Sequence, residues 1–244
     1  MNKTLAVVIP MYNEETGAEK CVREVCGVLQ GEIPDAYLFV VNDGSQDSTL
    51  EILSTLAHSE PDLPFKILSY NKNRGYGAAL LAGANAADNE GYEFALFMDS
   101  DLTNPPKLIK SIYELAFTGK YDLIKASRFI SGGGMDGVPP SRKIISFVGN
   151  KVASILFGMG ILDCTNGFRA VKLRLLRGVS FQERGFSSIL EELYILKQKK
   201  ARTIEIPYIL TSRQKTQEAS KFLYSPTVFY SYLKYAIKAR FHIK

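Results

Sequence analysis

The chain of 244 residues has no tryptophan and only two histidines, His58 and His242. Neither histidine sits in a plausible site segment, so the usual imidazole general base is missing. Cysteine is scarce as well. Cys21, Cys26 and Cys164 lack metal-ligand spacing, and an odd count without a secretion signal implies reduced thiols, as in the cytosol. Cys21 and Cys26 read as small hydrophobes on a helix face. No Lys/Arg block resembles a nucleic-acid-binding tail. Long apolar runs are absent too. Residues 5–10 are too short for a signal-peptide core. Residues 144–162 are interrupted by Asn150 and Lys151, so they read as an amphipathic helix and not a span. No internal repeat or low-complexity segment stands out.

What is present suits a globular unit. The chain is 46% hydrophobic and 23% charged, with a formal net charge of +5. Its mean hydropathy is −0.03. These values argue against disorder and against an integral membrane bundle. The positive balance suits an anionic ligand or surface.

The first 126 residues alternate between two periodicities. Apolar runs at 5–9, 37–41, 65–69, 94–98 and 123–126 read as strands. Helical patterns at about 14–29, 48–57, 78–87 and after Pro106 lie between them. Strands that are apolar throughout imply a mainly parallel sheet covered on both faces, an α/β architecture. A Gly-rich stretch at 131–137 reads as a linker or as a lid over the strand ends. A helix at 143–159, a turn with a short strand at 164–171, a helix near 189–197 and a strand at 203–206 follow. A last helix begins after Pro226.

Each early strand ends on polar residues. The sharpest case is the strand at 94–98, which stops at Asp99-Ser-Asp101 and is followed by Pro105 and Pro106. Two carboxylates on a short turn suit Mg²⁺ or Mn²⁺, and the carboxyl ends of such strands are where open α/β sheets bind ligands. The other ends carry Pro10-Met-Tyr-Asn-Glu14, Asn42-Asp-Gly-Ser-Gln-Asp47, Asn71-Lys-Asn-Arg-Gly-Tyr-Gly77 and Ser127-Arg128. Each alone is a good turn former. Five on one rim make a pocket the more economical reading.

In order, Pro10-x-Tyr-Asn-Glu14, Asp43-Gly-Ser-x-Asp47, Asn73-x-Gly-x-Gly77 and Asp99-Ser-Asp101-Leu-x-x-Pro-Pro106 resemble the signature of family 2 glycosyltransferases. Within that family, the branch that makes dolichyl- or polyprenyl-phosphate sugars is the more similar. Ser127-Arg128-Phe129, Arg142 with Ser146 and Asn150, Asp163-x-Thr-Asn-Gly-Phe-Arg169, Gly185-Phe186 with Glu191, and Ser220-Lys221 extend the likeness to residues 4–222. The resemblance implies a GT-A fold, Rossmann-like and mainly parallel. It also implies a nucleotide-sugar donor, a divalent metal and inversion at the anomeric carbon. Pro10, Tyr12, Glu14 and Asp43 would line the base and ribose side. Asp99 and Asp101 would meet ribose and metal–diphosphate. Arg128, Arg169 and Lys221 would surround the phosphates, with Asp101 counted among the catalytic residues. Asn73, Gly75, Ser100, Arg142 and Glu191 complete the implied substrate-binding set. The pattern departs at Asn42, at Thr103-Asn104 and at Phe147.

A phosphate-monoester acceptor would account for the missing histidine, because it is anionic at neutral pH and attacks without a base. A sugar hydroxyl would need one, and Asp163 and Glu191 are the candidates. By default both read as holders of nearby cations or helix ends. The boundary is expected near residue 222, with 223–244 an amphipathic C-terminal helix. There Phe229, Leu233 and Ala236 would share one face, and Lys234 and Lys238 another. That helix suits an anionic leaflet, and the alternative is packing on the domain. The expectation is an enzyme peripheral on the cytoplasmic side of a membrane, bound directly or through a membrane-anchoring protein. A glycosyltransferase acting on a glycan hydroxyl and a non-catalytic nucleotide-sugar-binding module remain the rivals.

Overall fold

A computed structural model describes residues 3–211 and 226–241. The alternating half folds as β1 (Lys3–Met11), α1 (Ala18–Glu32), β2 (Tyr37–Asp43), α2 (Thr49–Ser59), β3 (Phe65–Tyr70), α3 (Tyr76–Asn89), β4 (Tyr92–Phe97), α4 (Leu108–Phe117) and β5 (Leu123–Ser127). It continues as β6 (Gly134–Met135), α5 (Pro140–Phe157), β7 (Arg169–Lys172), a 3₁₀ turn (Leu173–Leu175), α6 (Ser188–Gln198), β8 (Thr203–Pro207), β9 (Ile209–Leu210) and α7 (Pro226–Phe241).

Seven strands form one sheet in the order β3-β2-β1-β4-β7-β5-β8. All neighbours are parallel except β7, which runs antiparallel to both β4 and β5. The sheet is apolar throughout because both faces are covered. Leu5, Val7, Ile9 and Met11 of β1 join the core under α1, α2 and α4, whereas Ala6 and Val8 join the core under α3 and α6. The small residues of α3 permit its close approach. A Cβ on Gly83 would overlap Cγ1 of Val8 and lie 3.1 Å from Cγ2 of Val41.

The turn and short strand expected at 164–171 are found as a loop through Phe168 and a strand that starts at Arg169. The Gly-rich stretch is pinned at Gly134–Met135, which pairs in parallel with Ile209–Leu210. Helix α7 packs against α5 and α6. Its buried face is Tyr235, Ala236 and Ala239, while Leu233 is exposed. Lys234 donates to Glu183 Oε1 at 3.2 Å beside the Tyr235 hydroxyl, which donates to the same oxygen at 3.1 Å. The side chain of Phe229 and the residues Ser220-Lys221 lie outside what is described. No helix among the described residues is long and apolar enough to cross a membrane.

Candidate active site

The carboxyl ends of β1 and β4 lie side by side where the strand order reverses, the position at which open α/β sheets hold ligands. The loops after β1 and β2 are stapled together there. Asn13, in a left-handed conformation (φ 53°), accepts the Gln46 N–H at 2.8 Å, and its own N–H donates to Ser45 Oγ at 3.0 Å. The Glu14 N–H donates to Thr49 Oγ1 at 2.8 Å. Asp47 accepts the N–H groups of Thr49 and Glu15 and the Thr49 hydroxyl. Partial burial opposes its ionisation, but these bonds outweigh it and hold the carboxyl below its usual range. Pro10, Tyr12 and Glu14 are thereby presented half-buried at the rim.

Asp43 sits deeper. It is 3% exposed and accepts the N–H groups of Arg74 at 2.9 Å and Gly75 at 2.8 Å. It therefore sets the shape of the 73–75 loop, which leaves Asn73 exposed. Gly75 has φ 99°, and a Cβ there would lie 2.6 Å from the Arg184 carbonyl oxygen.

Asp99 and Asp101 follow β4 half-buried, with Ser100 buried between them. Leu102 adopts φ 55°, so the chain turns sharply and the strand cannot continue. Asp101 Oδ1 accepts the N–H of Thr103 at 3.1 Å and its hydroxyl at 2.7 Å. The Tyr76 hydroxyl donates to Asp99 Oδ1 at 3.1 Å. Burial and the charge of Asp99 push that phenol well above its ordinary pKa, so it stays a donor. Gly167 faces the same carboxylate. A Cβ there would lie 3.1 Å from the Tyr76 oxygen and 3.3 Å from Asp99 Oδ2, so glycine keeps the space beside Asp99 open.

These residues fit a hard divalent cation. The donors are carboxylate oxygens, and the glycine cradle leaves room beside one of them. Among the described residues no group of three or more His, Cys, Asp or Glu side chains gathers. The protein would thus supply two carboxylates and leave the remaining positions to substrate and water, as Mg²⁺-type ions favour. Asn104, directly after Thr103, is buried with its amide oxygen unpartnered among the described residues.

The basic residues divide. Arg128 stands at the rim and grips buried Asp163 twice, Nε to Oδ2 at 2.7 Å and Nη2 to Oδ1 at 2.8 Å. Its Nη2 also donates to Thr165 Oγ1 at 3.0 Å. Burial would raise the Asp163 carboxyl, but the charge of Arg128 outweighs it and the pKa falls. Arg169 departs from expectation. It is 0% exposed and lies over the Phe97 ring. It pairs with Glu192 at 2.5 and 2.8 Å and donates to the Gly167 carbonyl at 2.7 Å. It reaches the Gly167 loop and Tyr76, whose hydroxyl holds Asp99, and so sits one layer below the rim. Glu191 likewise turns inward and accepts the N–H groups of Gln182 and Glu183. Arg142 is exposed in the first turn of α5.

Sequence reasoning passed over four residues of this neighbourhood: Tyr76, Gly167, Glu192 and Lys125. Tyr76 and Gly167 lay inside recognised motifs, and Glu192 is next to Glu191. Lys125 interrupts an apolar strand, which was the available signal. It is fully buried with its ammonium on the Asn166 carbonyl. Burial first, and Arg169 second, push its pKa down to about 8.

Residues 6–179 match the model of glycosyl transferase family 2. The chain belongs to that family. Within it, the chain is 28% identical over 210 residues to an undecaprenyl-phosphate mannosyltransferase of Micrococcus luteus, covering 85% of this chain and 83% of the relative. It is 28% identical over 211 residues to a polyprenol monophosphomannose synthase of Mycolicibacterium smegmatis, covering 85% and 77%. A dolichol-phosphate mannosyltransferase of Pyrococcus furiosus is 29% identical over 219 residues, covering 89% of this chain and 59% of the relative. A solved structure of Mycobacterium tuberculosis glucosyl-3-phosphoglycerate synthase, with Mn²⁺ and UDP-glucose, superposes with TM-score 0.67. Its identity is 20%, covering 99% of this chain and 80% of that one. The family and fold expected from the motifs are therefore both found.

Proposed function

We propose that this family 2 glycosyltransferase moves a hexose from a nucleotide diphosphate sugar to a polyprenyl phosphate, with inversion at the anomeric carbon. The observation that carries the reading is the likeness, along most of the chain, to relatives named for polyprenyl-phosphate mannose synthesis. Their names put mannose first among the sugars to try.

In this reading Pro10, Tyr12, Glu14 and the loop held by Asp43 wall the base and ribose. Asp99 and Asp101 would hold Mg²⁺ or Mn²⁺, which when bound would supply positive charge to the diphosphate leaving group. The Tyr76 hydroxyl and Gly167 set the orientation and clearance of Asp99. Arg128, its guanidinium fixed by Asp163 and Thr165, offers a planar donor to phosphate oxygens. Lys221, outside the described residues, supplies a second cation. The acceptor phosphate attacks without a protein base because it is already ionised. Arg169 and Glu192 act one layer deeper by fixing the Gly167 loop. Transfer takes place at the membrane that holds the acceptor, with the enzyme peripheral on its cytoplasmic face. Residues 1–222 form the transferase domain and 223–244 its appended helix.

The test is transfer from GDP- and UDP-sugars to undecaprenyl phosphate with Mg²⁺ or Mn²⁺ and with chelator. Product on the lipid phosphate, lost with chelator, is expected. Sugar appearing only on a saccharide acceptor would discard the reading.

A further inference from the structure

Tyr208 stands between the two sides of the rim. It links β8 to β9 and is 2% exposed. Its backbone belongs to the Arg128 side. The N–H donates at 3.0 Å to the carbonyl of Ser127, the residue before Arg128, and the Tyr208 carbonyl accepts the Gly134 N–H at 3.0 Å. A Cβ on Gly133 would lie 2.5 Å from the same Ser127 oxygen, so the chain entering β6 lies tightly on this segment. The Tyr208 ring meets Phe168 edge-on, with centroids 6.4 Å apart.

The hydroxyl belongs to the other side. It donates to the Thr103 carbonyl at 2.9 Å, across 105 positions of sequence. Thr103 is the residue whose N–H and hydroxyl both meet Asp101. The residue between them is strained. Leu102 has φ 55°, a conformation that a bulky side chain keeps only where its surroundings impose it. The bonds from Thr103 to Asp101 close the turn on itself, and the bond from Tyr208 fixes it to the rest of the domain. Burial pushes the Tyr208 phenol well above its ordinary pKa. The charge of Arg128 opposes this, and the charges of Asp101 and Asp99 reinforce it. The hydroxyl therefore stays a donor, and one side chain lies within electrostatic reach of Arg128 and of both aspartates.

We propose that Tyr208 is a positioning residue, whose hydroxyl clamps the Asp101 turn to the segment that carries Arg128. One side chain thereby sets the spacing between the carboxylates that would hold a divalent cation and the guanidinium that would meet phosphate. The proposal rests on the metal assignment made above for its purpose, while its geometry is independent of it. An aspartate on a turn already held in place loses less freedom when it meets an ion, so the clamp raises affinity for the cation.

The variant to make is Tyr208→Phe in the full chain, which removes the hydroxyl and keeps the ring against Phe168. Tyr37→Phe is its control. It removes a bond of the same kind, to the Phe65 carbonyl at 3.1 Å, at the amino end of β2 and away from the rim. Hydrogen exchange read by mass spectrometry should quicken in peptides covering residues 99–104 in Tyr208→Phe and keep the wild-type rate there in Tyr37→Phe. Unchanged exchange in Tyr208→Phe, or an equal rise in both variants, would overturn the clamp. Mn²⁺ is then titrated into each protein with GDP or UDP present, and the free ion is followed by electron paramagnetic resonance. Tyr208→Phe should raise the Kd for Mn²⁺ about tenfold, and Tyr37→Phe should leave it unchanged. A wild-type Kd in Tyr208→Phe would show that the hydroxyl does not position Asp101 and would overturn the proposal. If the wild-type protein takes up no Mn²⁺ with either nucleotide, the metal assignment falls, and the exchange rates alone decide the clamp.

Discussion

Two sets of charged side chains occupy neighbouring strands and differ in burial. Asp99 and Asp101, beyond β4, are half-buried and accept hydrogen bonds from the hydroxyls of Tyr76 and Thr103. Arg169, Glu192 and Lys125, on and behind β7 and β5, are wholly buried. Their charges are answered by one another, by the Gly167 and Asn166 carbonyls, and by the charge of Asp163. Charges placed where solvent and ligand reach them stay available to a ligand. Charges placed in the interior must be satisfied by the protein, and the cost of disturbing them falls on folding.

The comparison breaks most visibly at the buried pair. Glu192→Gln leaves the Arg169 guanidinium uncompensated in the interior and should cost about 3–5 kcal/mol of unfolding free energy. Urea titration reads this, and an unchanged midpoint would refute the pairing. The rim should behave in the opposite way. Asp99→Asn or Asp101→Asn is expected to lower transfer by roughly 10²–10³-fold, the loss of several kcal/mol of charge stabilisation. The urea midpoint should stay put, and a parallel loss of stability would show that these carboxylates are structural.

Lys125 sharpens the contrast through pH. Below about pH 8 both the folded and the unfolded chain carry its proton. Between there and the ordinary lysine range, about 10.4, the unfolded chain holds a proton that the folded chain has released. Stability should therefore climb with pH across that window, relative to Lys125→Met. Parallel curves for the two proteins would show that Lys125 keeps its proton. The smallest effect belongs to the outer surface. Arg23, bridging Glu19 and Glu60 on exposed helix ends, should be replaceable by Ala with no resolvable change in the thermal midpoint.

Much of this was legible in one dimension. Five apolar runs separated by helical periods specify parallel strands, because a strand covered on both faces has no polar side to show. The acids at Asp99 and Asp101, after an apolar run and before two prolines, could be placed at a strand end without coordinates. The C-terminal half was harder. Arg169 begins a four-residue strand whose direction no periodicity reveals, and it stood in a motif that suggested an exposed cation. Its partner, Glu192, lies 23 positions away on a helix. The tail helix was ambiguous for a similar reason. Its aromatics suit either a core or an interface, and only packing against α5 and α6 turned Tyr235 inward and left Tyr230 outside.

By itself the sequence determined the strand–helix alternation, the polar rim and membership of the family, because these depend on local periodicity and on residues close together in the chain. Tertiary structure decided the reversal of β7, the burial of Arg169 and Lys125, and the packing of α7 on α5 and α6. Each of those depends on which surfaces meet across long separations, and free energy of burial is settled only at that contact.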